Sequence, residues 1–270
     1  MARTPKLPAP PLPAALKAPP PRPGEANGKL APADHAKEAG ASVVDWVDER
    51  TSLSGGARWL MFRKVPKGTN WFYTLGSATM FAFLSQAVTG VFLAMYYRPD
   101  PAGGAYESIR YVTNDVFLGQ FVRGMHKWGS SVMVILVFLH MGRTFFFGAY
   151  KYPRELNWVI GVVLLILTMT MSFTGYLLPF DQRAYWATIV GVNINGTGPL
   201  IGPYLSDFLR GGSEFGATTL SRFYAIHMLL VPGLLAAMIG AHLYLVAKLG
   251  TTAPPWQKAE TRHELRETEV

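Results

Sequence analysis

The sequence predicts an all-α membrane protein, built as a bundle of four transmembrane helices. Three observations carry this. Half of the 270 residues are hydrophobic, and charges are sparse through long stretches, the composition of a polytopic membrane domain. Four apolar stretches, at about 71-97, 125-148, 157-179 and 223-248, are each near the roughly 20 residues that cross the hydrocarbon. Lys and Arg are unevenly placed: residues 1-70, 143-156 and the tail from Lys248 hold 18 of the 25, with seven on the opposite side. By the positive-inside rule, both termini and the short loop after the second span are cytoplasmic in a cell membrane.

Taken in order, residues 1-40 carry runs such as Pro8-Ala9-Pro10-Pro11 and Pro19-Pro20-Pro21, too poor in aliphatic bulk to fold, which predicts a disordered cytoplasmic extension. The same residues lack the apolar core of a cleavable signal. Residues 41-70 mix Val43, Val44, Trp46 and Val47 with Asp45, Asp48, Glu49 and Arg50, the pattern of an amphipathic segment on the inner surface. The membrane domain follows over 71-250, with a cytoplasmic tail over 251-270. Its first outer loop runs over about 98-124 and its second over about 180-222. The second is long for a plain connection, and its run Tyr185 to Val190 predicts a short interfacial helix roofing a site on the outer face.

The net charge of +8 is a topology signal, since no basic patch with aromatic partners on a soluble surface points to nucleic acid. Cysteine is absent, which excludes disulfides, thiolate iron-sulfur ligation and heme attachment through a CxxCH motif.

Four of the six histidines lie in the apolar spans: His126 and His140 in the second, His227 and His242 in the fourth. A spacing of 14 gives about 21 Å of rise and 40° of rotation, and a spacing of 15 about 22 Å and 60°. Each helix therefore carries two imidazoles on nearly one face, near opposite sides of the membrane. With the two helices antiparallel, His126 meets His227 near one surface and His140 meets His242 near the other. Histidines on apolar helices also serve by bonding a neighbouring helix. Ionisable side chains at membrane depth are nevertheless costly and usually functional, and these come in matched pairs. Zinc or copper sites usually recruit extra Cys, Asp or Glu, and these spans offer none close by. Heme needs only two axial histidines, and iron so held has no open position, so two stacked hemes carry electrons rather than bind oxygen.

Other residues fit the same reading. Gly76 and Gly90 in the first span are 14 apart, as are Gly161 and Gly175 in the third. Gly76 and Gly161 fall level with the His140 and His242 pair, Gly90 and Gly175 with the other, leaving gaps for a flat macrocycle. Gly129, Gly142, Gly233 and Gly240 do not follow this pattern, and membrane helices also use glycine for close packing. Arg123 and Arg143 each lie one turn from a histidine, toward the nearer water boundary, in reach of heme propionates.

Together these residues resemble the cytochrome b family of bc and bf complexes, in its short, split, four-helix form. The resemblance covers roughly residues 42-252. Its carrying runs are Arg123-Gly-Met-His126, His140-Met-Gly-Arg143, Lys151-Tyr-Pro-Arg-Glu-Leu-Asn-Trp158, Gly175-Tyr-Leu-Leu-Pro-Phe-Asp-Gln182 and Thr219-Leu-Ser-Arg-Phe-Tyr-Ala-Ile-His227. The 15-residue spacing of His227 and His242 is similar to the split form. The resemblance implies that His126 and His227 hold a low-potential b-type heme near the outer face, and His140 and His242 a high-potential one near the inner face. It implies quinol oxidation at the outer face, with one electron going to a Rieske iron-sulfur protein and on to cytochrome c or an equivalent acceptor. The other crosses to reduce quinone at the inner face, coupled to proton translocation.

A homodimeric complex in the lipid bilayer is implied likewise, the chain being a redox subunit not active alone. The helices that carry the family's Pro-Glu-Trp-Tyr motif are absent and are expected from a separate subunit. The outer quinone pocket is then half present, with Tyr176, Tyr185, Trp186 and Ala187 as candidate lining, and Lys248 is a candidate at the inner site. Where many split forms carry a cysteine for a third heme, this sequence reads Tyr73-Thr74-Leu75-Gly76, so no covalent third heme is expected. Two other readings stand beside this one: a diheme anchor passing electrons from a dehydrogenase or hydrogenase to quinone, and a heme-free transporter or scaffold.

Overall fold

The computed structural model describes residues 43, 45-51 and 68-255. The chain forms two units, Met1–Arg63 and Lys64–Val270. In the first, residues 45-51 are helical, and Arg50 lies over the Trp46 ring while donating to the Trp46 carbonyl. The extension expected over 1-40, the rest of the expected surface segment up to residue 67, and residues 256-270 of the expected tail lie outside the described residues.

The second unit is helical, with no strand among the described residues. A 3-10 turn, Trp71–Thr74, is capped by the Asn70 side chain, which accepts from the Phe72 N–H at 3.2 Å. It leads into α1 (Leu75–Ala94), followed by α2 (Gly104–Asn114), α3 (Gly119–Phe146), α4 (Glu155–Leu177), α5 (Gln182–Gly196), α6 (Gly202–Arg210) and α7 (Ala217–Ala225). A π turn, Ile226–Leu230, joins α7 to α8 (Val231–Leu249). Among the described residues, four helices are long and apolar enough to span a membrane: Trp71–Ala94, Gly119–Phe146, Glu155–Leu177 and Ala217–Leu249. Their outward surfaces carry large apolar side chains such as Phe81, Val88 and Leu229, as expected where the surrounding solvent is lipid.

The second span starts six residues before the expected position, because Gly119 to Gly124 contains no proline and the helix continues where polar residues begin. The last starts at Ala217 rather than 223 for the same reason. The expected helix near Tyr185 is α5, started by Asp181, whose carboxylate accepts from the Ala184 N–H at 2.8 Å. Two more short helices, α2 and α6, occupy the loops at this end of the bundle. The buried residues of α2, Ala105, Ser108 and Val112, recur at helical spacing, and α6 stops at Gly211, whose φ of +78 suits glycine.

The tightest core lies at this loop end, where Leu177, Val192, Leu220, Phe223, Val231 and Leu235 pack together. At the opposite end, Arg154 donates to the carbonyls of Leu249 and Gly250 at 3.1 and 3.2 Å, satisfying groups that a helix C-terminus leaves free. The Tyr73 hydroxyl donates to the Thr252 carbonyl at 3.0 Å, so the chain beyond α8 is tied to the start of α1.

The π turn has a local cause. Pro232 has no N–H and cannot complete the α pattern, and the Val231 N–H bonds instead to the Ile226 carbonyl, five residues back. The extra residue of the 15-residue histidine spacing is taken up there, within the helix that carries both histidines.

Candidate functional site

The fold brings the four histidines together in two pairs. His126 faces His227 and His140 faces His242, and in both pairs the ring centroids are 6.4 Å apart with planes inclined by 77°. A metal bonded to one nitrogen of each ring at about 2 Å, with each nitrogen about 1.2 Å from its ring centre, separates the centroids by about 6.4 Å. The pairing corrects the antiparallel alignment taken from the sequence. First histidine meets first and second meets second, so α3 and the helix through α8 run parallel, as the alternation of four successive spans requires.

The glycines lie against the imidazoles. A Cβ on Gly175 would stand 2.5 Å from His227 Cε1, on Gly76 3.1 Å from His140 Cε1, on Gly90 3.2 Å from His126 Cε1, and on Gly161 3.7 Å from His242 Cε1. The space they leave therefore admits the histidine rings themselves, tightly at Gly175 and with ordinary contact at Gly161. Gly142, Gly233 and Gly240 have nothing within 4 Å of a Cβ, and Gly129 makes room for the Gln86 amide.

At the loop end, Thr89 Oγ1 lies 2.9 Å from His126 Nδ1, and Thr174 Oγ1 3.2 Å from His227 Nδ1. Each hydroxyl donates its proton to its own helix, Thr89 to the Ser85 carbonyl at 2.7 Å and Thr174 to the Thr170 carbonyl at 2.8 Å. The oxygen is then left to accept, which places the ring proton on Nδ1 and frees Nε2 as a ligand. The sequence reading had not singled out these threonines. Their only signal was that each directly precedes a glycine of the 14-residue pattern.

A cavity of about 460 Å³ opens beside this pair, lined among others by Gly90, Arg123, His126, Gly175, Tyr176 and His227. Lys127 and Arg183 also line it. A second cavity of about 160 Å³ extends from the same two histidines toward Thr168 and Leu235. Tyr176 thus reaches the cavity, whereas Tyr185, Trp186 and Ala187 are not in its lining: Tyr185 packs on Phe180 and Phe215, and Trp186 is exposed. Tyr97, overlooked in the sequence, also lines it, and its hydroxyl donates to the Leu178 carbonyl at 2.6 Å, tying the end of α1 to the turn after α4.

At the other end, the Arg143 guanidinium lies 3.8 Å from the Tyr73 ring centroid and 5.1 Å from that of Phe147. Among the described residues, its Nε and Nη2 are buried without a hydrogen-bond partner. Buried charged donors left unpaired are costly, and an anion beside them would relieve that cost. Lys248 points its ammonium toward Tyr244, 5.9 Å from the ring centre. Among the described residues no group of three or more His, Cys, Asp or Glu converges as a bare metal site requires. Two imidazoles at metal-bridging distance, gaps in the helices behind them and cations beside them fit a heme with its propionates.

Residues 60–250 match the family described as Cytochrome b/b6/petB. The chain belongs to that family. It is 43% identical over 220 residues to the menaquinol:cytochrome c reductase cytochrome b subunit of Geobacillus thermodenitrificans, covering 78% of this chain and 98% of that one. It is 42% identical over 213 residues to a cytochrome b6 of Heliobacterium modesticaldum, with 78% and 100% covered. A chain of a hyperthermophilic respiratory Complex III superposes with a TM-score of 0.71 at 32% identity, covering 78% of this cytochrome b chain and 56% of that longer one. The relatives of similar length are thus the short, split form, and the present chain is a multi-pass membrane protein of the same kind.

Proposed function

We propose that this chain is the heme-bearing cytochrome b subunit of a quinol:acceptor reductase, holding two non-covalent b-type hemes stacked across the membrane. The observation that carries the proposal is the pair of histidine pairs, each with centroids 6.4 Å apart and the same 77° inclination. His126 and His227 would hold the low-potential heme at the outer, loop end, and His140 and His242 the high-potential heme at the inner, cytoplasmic end. Held there by its two histidines, heme would supply one-electron transfer.

The chain's own residues bind, orient and neutralise. Gly76, Gly90, Gly161 and Gly175 let the rings sit against α1 and α4. Arg123 and Arg143 pair with propionates through the guanidinium fork, which gives the buried Nε and Nη2 of Arg143 their partner. Quinol is oxidised in the outer cavity, which Tyr176 lines, and quinone is reduced at the inner end, with protons released outside and taken up inside. One electron goes to a Rieske iron-sulfur protein and on to a cytochrome c-type acceptor, and the other crosses the membrane. A separate subunit supplies the helices with the Pro-Glu-Trp-Tyr motif, and the complex is a homodimer. Thr74 offers no thiol, so no third, covalent heme forms.

A pyridine hemochrome count on the purified chain tests this. Two b-type hemes per chain, all extracted by acidified acetone, are expected. No heme, or heme that stays on the chain after extraction, would overturn the proposal. In the assembled complex, quinol:cytochrome c turnover would then separate the reductase reading from a dehydrogenase anchor, which would not reduce cytochrome c.

A further inference from the structure

The two histidine pairs have the same ring geometry and differ in what meets the second ring nitrogen. At the loop end, both rings face a threonine hydroxyl, at 2.9 Å for His126 and 3.2 Å for His227. At the other end, no hydroxyl bonds either ring among the described residues, and His242 Nδ1 meets no side-chain partner there. Backbone carbonyls do not make this difference. Those of Gln86, Met171 and Asn157 face His126, His227 and His242, on both sides of the membrane.

The sequence places the asymmetry in a repeat. Thr89 precedes Gly90 and Thr174 precedes Gly175, while 14 residues earlier Leu75 precedes Gly76 and Ile160 precedes Gly161. On each of α1 and α4 the same register thus carries a hydroxyl at the loop end and an aliphatic side chain at the other. Both hydroxyl protons are committed to backbone carbonyls, so each oxygen can only accept from the ring.

Resting on the diheme reading above, we infer that Thr89 and Thr174 are positioning residues that lower the potential of the heme between His126 and His227 relative to its neighbour. An acceptor on Nδ1–H makes the imidazole a more basic ligand. A more basic axial ligand favours ferric over ferrous iron, and such outer hydrogen bonds are a recognised lever on heme potential. Where Leu75 and Ile160 stand instead, no hydroxyl is added and the potential stays higher. The sequence of α1 and α4 thereby makes electron transfer downhill from the loop end to the other.

Potentiometric titration of the purified full chain with its hemes tests this, using the visible absorption band to follow each heme and the His126→Ala variant to assign them. Thr89→Val and Thr174→Val are expected to raise the midpoint of the loop-end heme and leave the other unmoved, with the double variant shifting further. Thr89→Ser and Thr174→Ser, which keep the hydroxyl, should restore the original midpoint. Ile160→Thr should move the other heme, downward. Valine variants that keep two hemes with unchanged midpoints, or that shift both hemes equally, would overturn the inference. Where a valine variant fails to retain heme, Ile160→Thr decides: a lowered midpoint supports the inference and an unchanged one contradicts it. A wild-type chain without two hemes would instead contradict the functional reading itself.

Discussion

At the residue scale, the decisive contacts are those between glycine and imidazole. Gly175 has no room for a methyl group, since a Cβ would stand 2.5 Å from His227 Cε1, whereas Gly161 leaves 3.7 Å to His242. Gly175→Ala should therefore cost about 1–3 kcal/mol as an overpacked site and release the loop-end heme, while Gly161→Ala should keep both. Heme counts on the two purified variants check this, and equal loss in both would contradict it. Arg143→Ala should weaken heme retention at the His140 and His242 site by about 1.5–3 kcal/mol, the range for a hydrogen bond to a charged group. Transfer of heme to an apo-acceptor protein, followed over time, measures it. The four histidines were legible in the sequence because ionisable groups at membrane depth are costly and these fall in register. Thr89 and Thr174 were not, because threonine in a membrane helix ordinarily bonds its own backbone, as both do here.

At the element scale, the helix through Ala217–Leu249 is shaped by Pro232. Its π turn absorbs one residue, which lets a 15-residue spacing produce the same paired geometry as the 14-residue spacing of α3. Deleting Leu229, which faces outward at 77% exposure, should convert the turn to plain α-helix and leave both hemes bound. Inserting an alanine after Ser131 in α3, which has no proline to absorb it, should turn His140 by about 100° relative to His126 and lose one heme. Heme loss in the deletion, or full occupancy in the insertion, would contradict this. The four spans were legible from apolar length, and α5 from its apolar run. The short helices α2 and α6 were not, since their Gly- and Pro-flanked sequences read as turns. The parallel course of α3 and α8 was available from the alternation of spans alone, and the antiparallel reading neglected it.

At the scale of the whole molecule, the bundle exposes apolar side chains along its sides and is packed at the loop end, where α2, α5 and α6 pack against the spans. Reporter fusions should place residue 150 on the cytoplasmic side and residue 213 outside, in accord with the excess of Lys and Arg toward the termini. A reporter active outside when joined at 150 would invert the assignment of the two heme sites to membrane faces. The central claim is that two separate heme sites are stacked in one chain. Reduced-minus-oxidised spectra of the purified His126→Ala and His140→Ala variants, each with a heme count, test it most directly. Each variant is expected to retain one heme, and the two to lose different spectral components. A single heme in the wild type, or loss of the same component in both variants, would contradict it.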